Sequence, residues 1–157
     1  MKVRAAMKPP VVPPGSLHAS CVARDGAAVL LLGPPGVGKS DLALRLLARG
    51  FALVADDRVV IEAGRARPPP ALAGLLEVRG LGILRLDHVA SAAVALAVEL
   101  ASPDRPPERM PTPRTPSALG VPIVAVDPRA ASAPDVVVMA LACALGQVTQ
   151  VAGAFAA

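Results

Sequence analysis

The stretch GPPGVGKS at residues 33–40 is the feature that most restricts how this chain can fold. It fits the pattern G-x-x-x-x-G-K-[ST] at every fixed position. An uninterrupted apolar run at 27–33 precedes it, as expected of a strand buried on both faces. Residues 40–49 follow with leucines at helical spacing, and Gly50 suits the position after the helix. The chain therefore predicts a strand, a phosphate-binding loop and a helix in succession.

The remaining pattern predicts an α/β protein, a P-loop-containing nucleotide-binding domain with a mixed, strand-rich sheet and few helices. The prolines after Arg65 are expected to break the chain at 65–70, because proline cannot donate to a sheet ladder. A long surface loop is expected at 102–122, and Ser132 is expected to cap the final helix. Further strands are predicted at 17–26, 51–57, 58–64, 81–86, 92–100 and 122–127, a short helix at 71–77, and a last helix reaching residue 145.

Length and composition favour one domain in a cytoplasmic protein. At 157 residues the chain suits a single domain, predicted at 17–157, after a flexible, basic, proline-rich leader at 1–16 that has no apolar signal region. Cys21 and Cys143 have no C-x-x-C spacing, which favours buried, reduced thiols. The longest uncharged apolar runs are too short to span a membrane, so no membrane association is expected.

A net charge of +4 raises the question of nucleic-acid binding. The arginines are scattered, and the chain has two Phe and no Trp or Tyr on which bases could stack. Basic residues around a phosphate site, or facing an acidic protein, account for the charge more simply. We therefore expect no nucleic-acid partner.

The glycine-rich loop predicts a nucleotide bound with Mg²⁺. Backbone N–H groups of such a loop surround phosphates at a helix N-terminus, Lys39 reaches the outer phosphates, and the Ser40 hydroxyl binds the metal. The chain contains no Asn, which excludes the N-K-x-D motif of GTPases, and it is too short for the helical lid of AAA-type ATPases. ATP is the expected nucleotide. The predicted binding residues are Gly33, Pro34, Pro35, Gly36, Val37, Gly38, Lys39 and Ser40.

Two adjacent carboxylates, Asp56 and Asp57, end the strand predicted after the P-loop helix. This is the carboxyl edge, where ligands bind in open α/β sheets. Side chains alternate along a strand, so one carboxylate is expected to hold Mg²⁺ through water and the other to accept a proton from an attacking hydroxyl. A solvated acidic turn is the alternative.

His18, Glu77 and Arg79 are weaker candidates. A strand pairing beside the P-loop strand would bring His18 near the terminal phosphate, although a lone histidine is more often structural. Glu77 is a candidate Mg²⁺ ligand and Arg79 a candidate bidentate phosphate ligand. A surface salt bridge between these two residues is the simpler interpretation of that pair alone.

Taken together, four segments resemble the HPr kinase/phosphorylase family, also called HPr(Ser) kinase. The resemblance covers most of residues 17–145, and EVRGLGIL is the segment that distinguishes this family from other P-loop proteins. The four segments are HAS at 18–20, GPPGVGKS at 33–40, RGFALVADDRV at 49–59 and EVRGLGIL at 77–84.

The resemblance implies an enzyme that transfers the γ-phosphoryl group of ATP to a serine of the phosphocarrier protein HPr. It also implies the reverse phosphorolysis, and a hexamer is typical of the family. Asp57 would be the base, and His18 matches the family's active-site histidine. Glu77 matches a Mg²⁺ ligand, and Arg109 aligns with a later catalytic arginine. By the same resemblance Lys39 binds phosphate, and we count it among the catalytic residues, while Ser40 binds Mg²⁺. With Asp57 as the base, Asp56 is the carboxylate of the pair that we expect at the metal.

The sequence also departs from the family pattern. A short leader stands where members carry an N-terminal domain, so a short form is expected, and the late arginine-rich loop is reduced to Arg129. The resemblance therefore supports the kinase reaction more strongly than the phosphorylase reaction. Two alternatives remain: a small-metabolite kinase with residues 102–114 as an arginine-bearing lid, and a nucleotide-sensing regulator with little catalysis.

Overall fold

The computed structural model describes residues 15–115 and 119–156. That part of the chain contains ten strands, two α-helices and one turn of 3₁₀ helix at Pro70–Leu72. The expected α/β architecture with few helices is confirmed. The elements are β1 (Gly15–Leu17), β2 (Ser20–Arg24), β3 (Ala27–Leu32), α1 (Lys39–Leu47), β4 (Ala52–Ala55), β5 (Val59–Glu62), β6 (Arg65–Arg67), β7 (Leu75–Val78), β8 (Gly82–Arg85), β9 (Ala92–Leu100), β10 (Ile123–Val126) and α2 (Ala133–Ala144).

Eight strands form one mixed sheet, in the order β1-β5-β6-β9-β3-β2-β4, with β10 also paired to β9. Strands β3, β9 and β10 are parallel, whereas β2 is antiparallel to both of its neighbours, β3 and β4. The carboxyl ends of β3, β4, β9 and β10 therefore lie at the same edge of the sheet as the amino end of β2. Every predicted site residue before Glu77 lies on or next to one of these ends.

The core lies on both faces of the sheet, and small aliphatic residues fill it. Strand β3 alternates its side chains between two buried clusters: Val29 and Leu31 join the one that contains the helices, and Leu30 joins the other. Burial on both faces explains why β3 is an uninterrupted apolar run. The strand that leads into the phosphate-binding loop is therefore held rigidly.

Two expectations for residues 65–77 were wrong. Residues 65–67 form β6, which pairs with both β5 and β9. The prolines begin only at Pro68, after the last paired residue, so they do not interrupt the hydrogen bonds of the strand. The short helix expected at 71–77 is replaced by the 3₁₀ turn and by β7. Leu75 and Leu76 pair with β8 in a separate two-stranded sheet, so a local helical pattern gives way to a tertiary pairing.

Helix α1 behaves as predicted and α2 differs at its first residue. Gly50 follows α1 at φ 89°, a conformation that glycine adopts without steric cost. Ser132 precedes α2 with no capping hydrogen bond from its side chain, contrary to expectation. Its helical backbone angles (φ −82°, ψ 0°) differ from the extended angles that let an N-cap side chain accept the N–H of the second or third helical residue.

At the amino terminus, the ordered strand begins earlier than the predicted domain boundary. Gly15 and Ser16, assigned to the leader, belong to β1 and pair with β5, and residues 1–14 lie outside the described part. The loop predicted at 102–122 contains no helix or strand among its described residues. No helix in the described ranges has the length and apolar character needed to cross a membrane. Both cysteines are free thiols, Cys21 fully buried and Cys143 half-buried, and burial raises the pKa of Cys21.

One exposed ion pair joins the end of α1 to the start of α2. Arg49 Nε lies 2.9 Å from Asp135 Oδ1, and its hydrogen bond and charge hold the pKa of Asp135 below its ordinary value. A depressed carboxyl pKa stabilises the fold above the unfolded-state value and loses that effect as the pH falls through the folded-state value. Asp135→Asn is expected to lower the melting temperature at pH 7 by less than about 4 °C, because exposed pairs contribute little.

The difference in melting temperature between this variant and the parent should shrink as the pH falls below about 4. Thermal unfolding followed by circular dichroism at several pH values measures it. Asp87→Asn, which changes another exposed aspartate, is the control. A difference that persists unchanged at pH 2 would contradict the assignment to this ion pair.

Candidate active site at the phosphate-binding loop

The loop at 33–38 connects β3 to α1 in the strand–loop–helix order that the sequence predicts. Its first residue has no room for a side chain, since a Cβ atom on Gly33 would lie 2.7 Å from Cγ1 of Val37. The loop therefore folds tightly on itself and turns its backbone toward the N-terminus of α1. This geometry suits an anion, because the first N–H groups of a helix have no partner within the helix.

The side chain of Lys39 folds back over this loop and holds its positive charge there. Its Nζ donates hydrogen bonds to the carbonyl oxygens of Gly33 (2.6 Å) and Pro34 (3.1 Å). An ammonium group has three donors, so one remains for a further acceptor. The residues present therefore fit the phosphates of a nucleotide.

Asp56 connects the loop to the neighbouring strands. It lies directly after β4 and is 6% exposed. One carboxylate oxygen, Oδ1, accepts hydrogen bonds from the hydroxyl groups of Ser20 and Ser40, each at 2.7 Å. The other, Oδ2, accepts the backbone N–H of Glu77 at 3.2 Å. A buried carboxylate thus receives three hydrogen bonds, from β2, α1 and β7.

The hydrogen bond from Ser40 to Asp56 fixes the direction of the Ser40 proton. A serine hydroxyl has one donor and two acceptor lone pairs. Its proton is directed to Asp56, so its lone pairs stay available to a cation beside the loop. Within the described ranges, no group of three or more His, Cys, Asp or Glu residues is arranged to hold a metal. Ser40 and Asp56 could therefore hold Mg²⁺ only together with further oxygen ligands, such as those of phosphates.

Glu77 and Arg79 lie on the β7–β8 hairpin, which the Glu77 backbone attaches to Asp56. The side chains of both residues are exposed. Among the described residues they form no ion pair with each other, contrary to the simpler interpretation. Glu77 therefore lies next to the metal-binding candidates, whereas Arg79 lies beyond it, toward the hairpin tip.

Asp57 has a backbone conformation unlike that of its neighbour. Its φ is +69°, in the left-handed region that few residues other than glycine adopt. In the described part of the chain, the other two such residues, Asp25 and Ala63, occupy hairpin turns and precede a glycine, which Asp57 does not. Strain of this kind is concentrated at functional sites. The reversal leaves Asp57 exposed beside the buried Asp56, so the two carboxylates have different surroundings.

His18 lies two residues before Ser20, at the amino end of β2, and is exposed. Its Nε2 is 3.1 Å from Nη2 of Arg58, and Nη1 of the same arginine donates to the hydroxyl of Ser16 (3.4 Å). Arginine can only donate, so Nε2 is the acceptor and the ring carries its proton on Nδ1. Because β2 is antiparallel to β4, His18 lies at the same sheet edge as Asp56 and Asp57.

Two residues of this site were missed by the sequence reasoning. Ser20 shares the buried carboxylate with Ser40, and Arg58 binds the imidazole. Both stand within the quoted segments HAS and RGFALVADDRV, but only the pairing of β2 with β4 brings the two segments together. Ser20 could have been predicted as a site residue from its spacing of two residues from His18, because that spacing places both side chains on one face of an extended segment.

Arg109 lies in the loop that follows β9 and is exposed. Among the described residues its side chain forms no ion pair. Arg129, after β10, binds its neighbour Asp127 at 3.4 Å. Among the described residues, neither arginine is a hydrogen-bond partner of Lys39 or Asp56.

Lys39→Met should weaken the binding of Mg²⁺-ATP by about 10- to 100-fold, because one charge-assisted hydrogen bond is lost. Isothermal titration calorimetry measures the dissociation constant. Arg67→Met, which removes a cation on β6, is the matched control and should change it less than about twofold. Equal affinities of the Lys39 variant and the parent would show that nucleotide does not bind at this loop.

The fold and the strand–loop–helix order place the chain in the P-loop class. The family model described as "HPr Serine kinase C-terminal domain" matches residues 11–102, more than half of the chain. The chain therefore belongs to the HPr serine kinase C-terminal domain family. The resemblance noted in its sequence is confirmed.

Relatives and a solved structure agree with this membership. Proteins named HPr kinase/phosphorylase from Burkholderia lata and Burkholderia cenocepacia are each 34% identical over 165 residues, covering 96% of this chain and 51% of the relative. The chain thus spans about half the length of these curated relatives. The structure of the Hpr(Ser) kinase/phosphatase from Coxiella burnetii matches with a TM-score of 0.65 and 24% identity, over 80% of this chain and 87% of that one. That likeness supports the fold.

Proposed function

We propose that the protein is an ATP-dependent kinase that phosphorylates a serine of an HPr-like phosphocarrier. Membership of the HPr serine kinase C-terminal domain family supports the reaction, and the relatives' name supports the acceptor. The observation that carries the proposal is the shared carboxylate of Asp56. Its bonds to Ser40 and Ser20 tie the phosphate-binding loop to the strand ends that carry His18 and Asp57.

The chemistry needs a base next to the terminal phosphate. The acceptor serine loses its proton to the Asp57 carboxylate as its oxygen bonds to the γ-phosphorus. The bond from that phosphorus to the β–γ bridging oxygen breaks, and ADP leaves with both electrons of the bond. Phosphoryl transfer depends mostly on alignment and charge neutralisation, so a carboxylate is a sufficient base. The exposure of Asp57 suits it to meet a serine carried by another protein.

The other members of the site would neutralise and align charge. Lys39 would bind the outer phosphates, and Arg79 is a further candidate for phosphoryl oxygens. Arg58 keeps Nε2 of His18 as an acceptor, so His18 would orient the acceptor hydroxyl from Nδ1–H or receive a proton when Arg58 moves. Arg109 would have to approach from its loop to take part.

Ser40 and Asp56 would hold Mg²⁺, and Glu77, whose backbone N–H binds Asp56, would complete its shell. When bound, this ion supplies positive charge to the phosphate oxygens. The structural support is the direction of the Ser40 proton toward Asp56, which leaves the lone pairs of the hydroxyl available.

One assay tests the proposal. The protein is incubated with ATP, Mg²⁺ and the HPr homologue of the same genome, and the HPr is analysed by mass spectrometry. A gain of one phosphoryl group on a serine, absent with Lys39→Met, supports a protein kinase. Turnover only with small metabolites, or ATP binding without transfer, would replace the proposal by one of the two alternatives. Adding inorganic phosphate to phosphorylated HPr tests the reverse reaction separately.

A further inference from the structure

Arg45 joins the helix of the phosphate-binding loop to the segment that follows β10. It lies in the last turn of α1 and is partly buried. Its Nη1 donates to the carbonyl oxygen of Ala130 (3.4 Å), and its Nη2 donates to that of Pro128. Asp41, one helical turn earlier, lies 3.1 Å from Nε and supplies the opposite charge. Because a guanidinium presents its donors in a rigid planar fork, the two carbonyl contacts fix the segment relative to α1.

This segment, residues 127–130, also packs against the phosphate-binding loop. Strands β3, β9 and β10 run parallel, so the segment leaves the sheet at the edge where the loop begins. A Cβ atom on Gly38 would lie 3.7 Å from Cβ of Pro128, an ordinary van der Waals distance. Gly38 directly precedes Lys39. The segment that Arg45 holds is therefore a neighbour of the residues proposed to bind phosphate.

Arg129 lies between the two residues whose carbonyl groups Arg45 binds. Its backbone N–H donates to Oδ1 of Asp127 at 2.9 Å, and the N–H of Ala130 donates to the backbone carbonyl of Asp127 at 3.2 Å. The backbone at residue 129 is thus held by this turn and by Arg45 together. The Arg129 side chain is 62% exposed, so its guanidinium is accessible to an anion beside the loop.

We propose that Arg45 is a positioning residue that acts through Arg129. By holding residues 127–130 against the phosphate-binding loop, Arg45 keeps the Arg129 guanidinium in position to bind the phosphates of the nucleotide. The inference rests on the proposed function, which places those phosphates at the loop. Arginine binds phosphate oxygens through paired hydrogen bonds, whose geometry is specific. Without Arg45 the segment would present the same charge at a varying distance and angle, and phosphoryl transfer would be slower.

A double-mutant cycle tests whether the two arginines act as one unit. Arg45→Met removes the guanidinium and keeps a long side chain of similar helix propensity in α1. It should slow single-turnover phosphorylation of HPr about tenfold, and Arg129→Met should do the same. The double variant should be no slower than Arg129→Met alone. Additive losses, or a parental rate for Arg45→Met, overturn the proposal.

Two further variants separate positioning from the stability of the helix. Arg49→Met removes the other arginine at the end of α1, which pairs with Asp135, and should leave the transfer rate within about twofold. Arg45→Lys keeps the charge without the planar fork and should still lose about threefold in rate. Amide hydrogen exchange at residues 127–130 should be faster in both Arg45 variants and unchanged in Arg49→Met. Parental exchange and rate in Arg45→Lys overturn the positioning role.

The affinity for inorganic tripolyphosphate in the presence of Mg²⁺ provides a measurement that needs no acceptor protein. Arg45→Met and Arg129→Met should each weaken it about three- to tenfold, and the double variant no further. Isothermal titration calorimetry measures the dissociation constants. This non-additive result, found together with a parent that does not phosphorylate HPr, would reject only the proposed kinase. Normal phosphorylation of HPr by Arg45→Met would reject only the positioning role.

Discussion

Asp57→Asn is expected to slow phosphoryl transfer to HPr by about 10²- to 10⁴-fold while leaving ATP affinity within about twofold. An amide cannot take the serine proton, so the chemical step loses its base. The backbone should stay in place, because Asn, like Asp, tolerates the positive φ of +69° found at this position. The loss should therefore appear in the transfer rate and not in the stability of the fold.

Single-turnover kinetics with saturating ATP measure the transfer rate directly. Asp25→Asn is a matched control, since Asp25 also has a positive φ, of +51°, but lies in the turn between β2 and β3. That variant should transfer at the parental rate. A rate for Asp57→Asn within about threefold of the parent would show that another group, with His18 the first candidate, accepts the proton.

Asp56→Ala is expected to lower the free energy of unfolding by about 2–4 kcal/mol and to abolish the effect of Mg²⁺ on nucleotide affinity. The substitution removes the acceptor of three hydrogen bonds and leaves the hydroxyl groups of Ser20 and Ser40 and the N–H of Glu77 without their partner. A buried donor without an acceptor destabilises the fold by more free energy than its hydrogen bond contributed. The Ser40 hydroxyl would also lose the orientation that suits it to a metal.

Urea unfolding and calorimetry with and without Mg²⁺ separate these two effects. Asp56→Asn should give a smaller loss of stability, because the amide oxygen can still accept from the hydroxyl groups while its NH₂ faces the N–H of Glu77. Asp87→Ala, at an exposed aspartate, controls for loss of charge. Parental stability and an intact Mg²⁺ effect in Asp56→Ala would contradict the structural role assigned to this carboxylate.

The two neighbouring aspartates show the limit of prediction from the sequence. Alternation along a strand predicted that Asp56 and Asp57 would differ, but it could not say which one is buried. That is decided by β2, whose Ser20 meets Asp56 across the sheet, and by the reversal of the backbone at Asp57. Whether the exposed carboxylate is the base remains a prediction, which the first variant tests.

The sequence alone was sufficient for the parts whose signals are local. An apolar run, a glycine-rich loop and leucines at helical spacing predicted β3, the phosphate-binding loop and α1, because each pattern is read within a few consecutive residues. The apolar run that forms β9 was predicted for the same reason. The family was predicted from four short segments, each of which is recognised from consecutive residues.

Only the tertiary structure decided what depends on distant parts of the chain. Residues 65–67 became a strand and 75–78 a hairpin arm because partners elsewhere in the chain supplied their hydrogen bonds. The antiparallel direction of β2 brought His18 and Ser20 to the edge where β4 ends, and the contact of Arg58 with His18 followed from it. Strand order and direction arise from pairing across the whole sheet, which no short stretch of residues encodes.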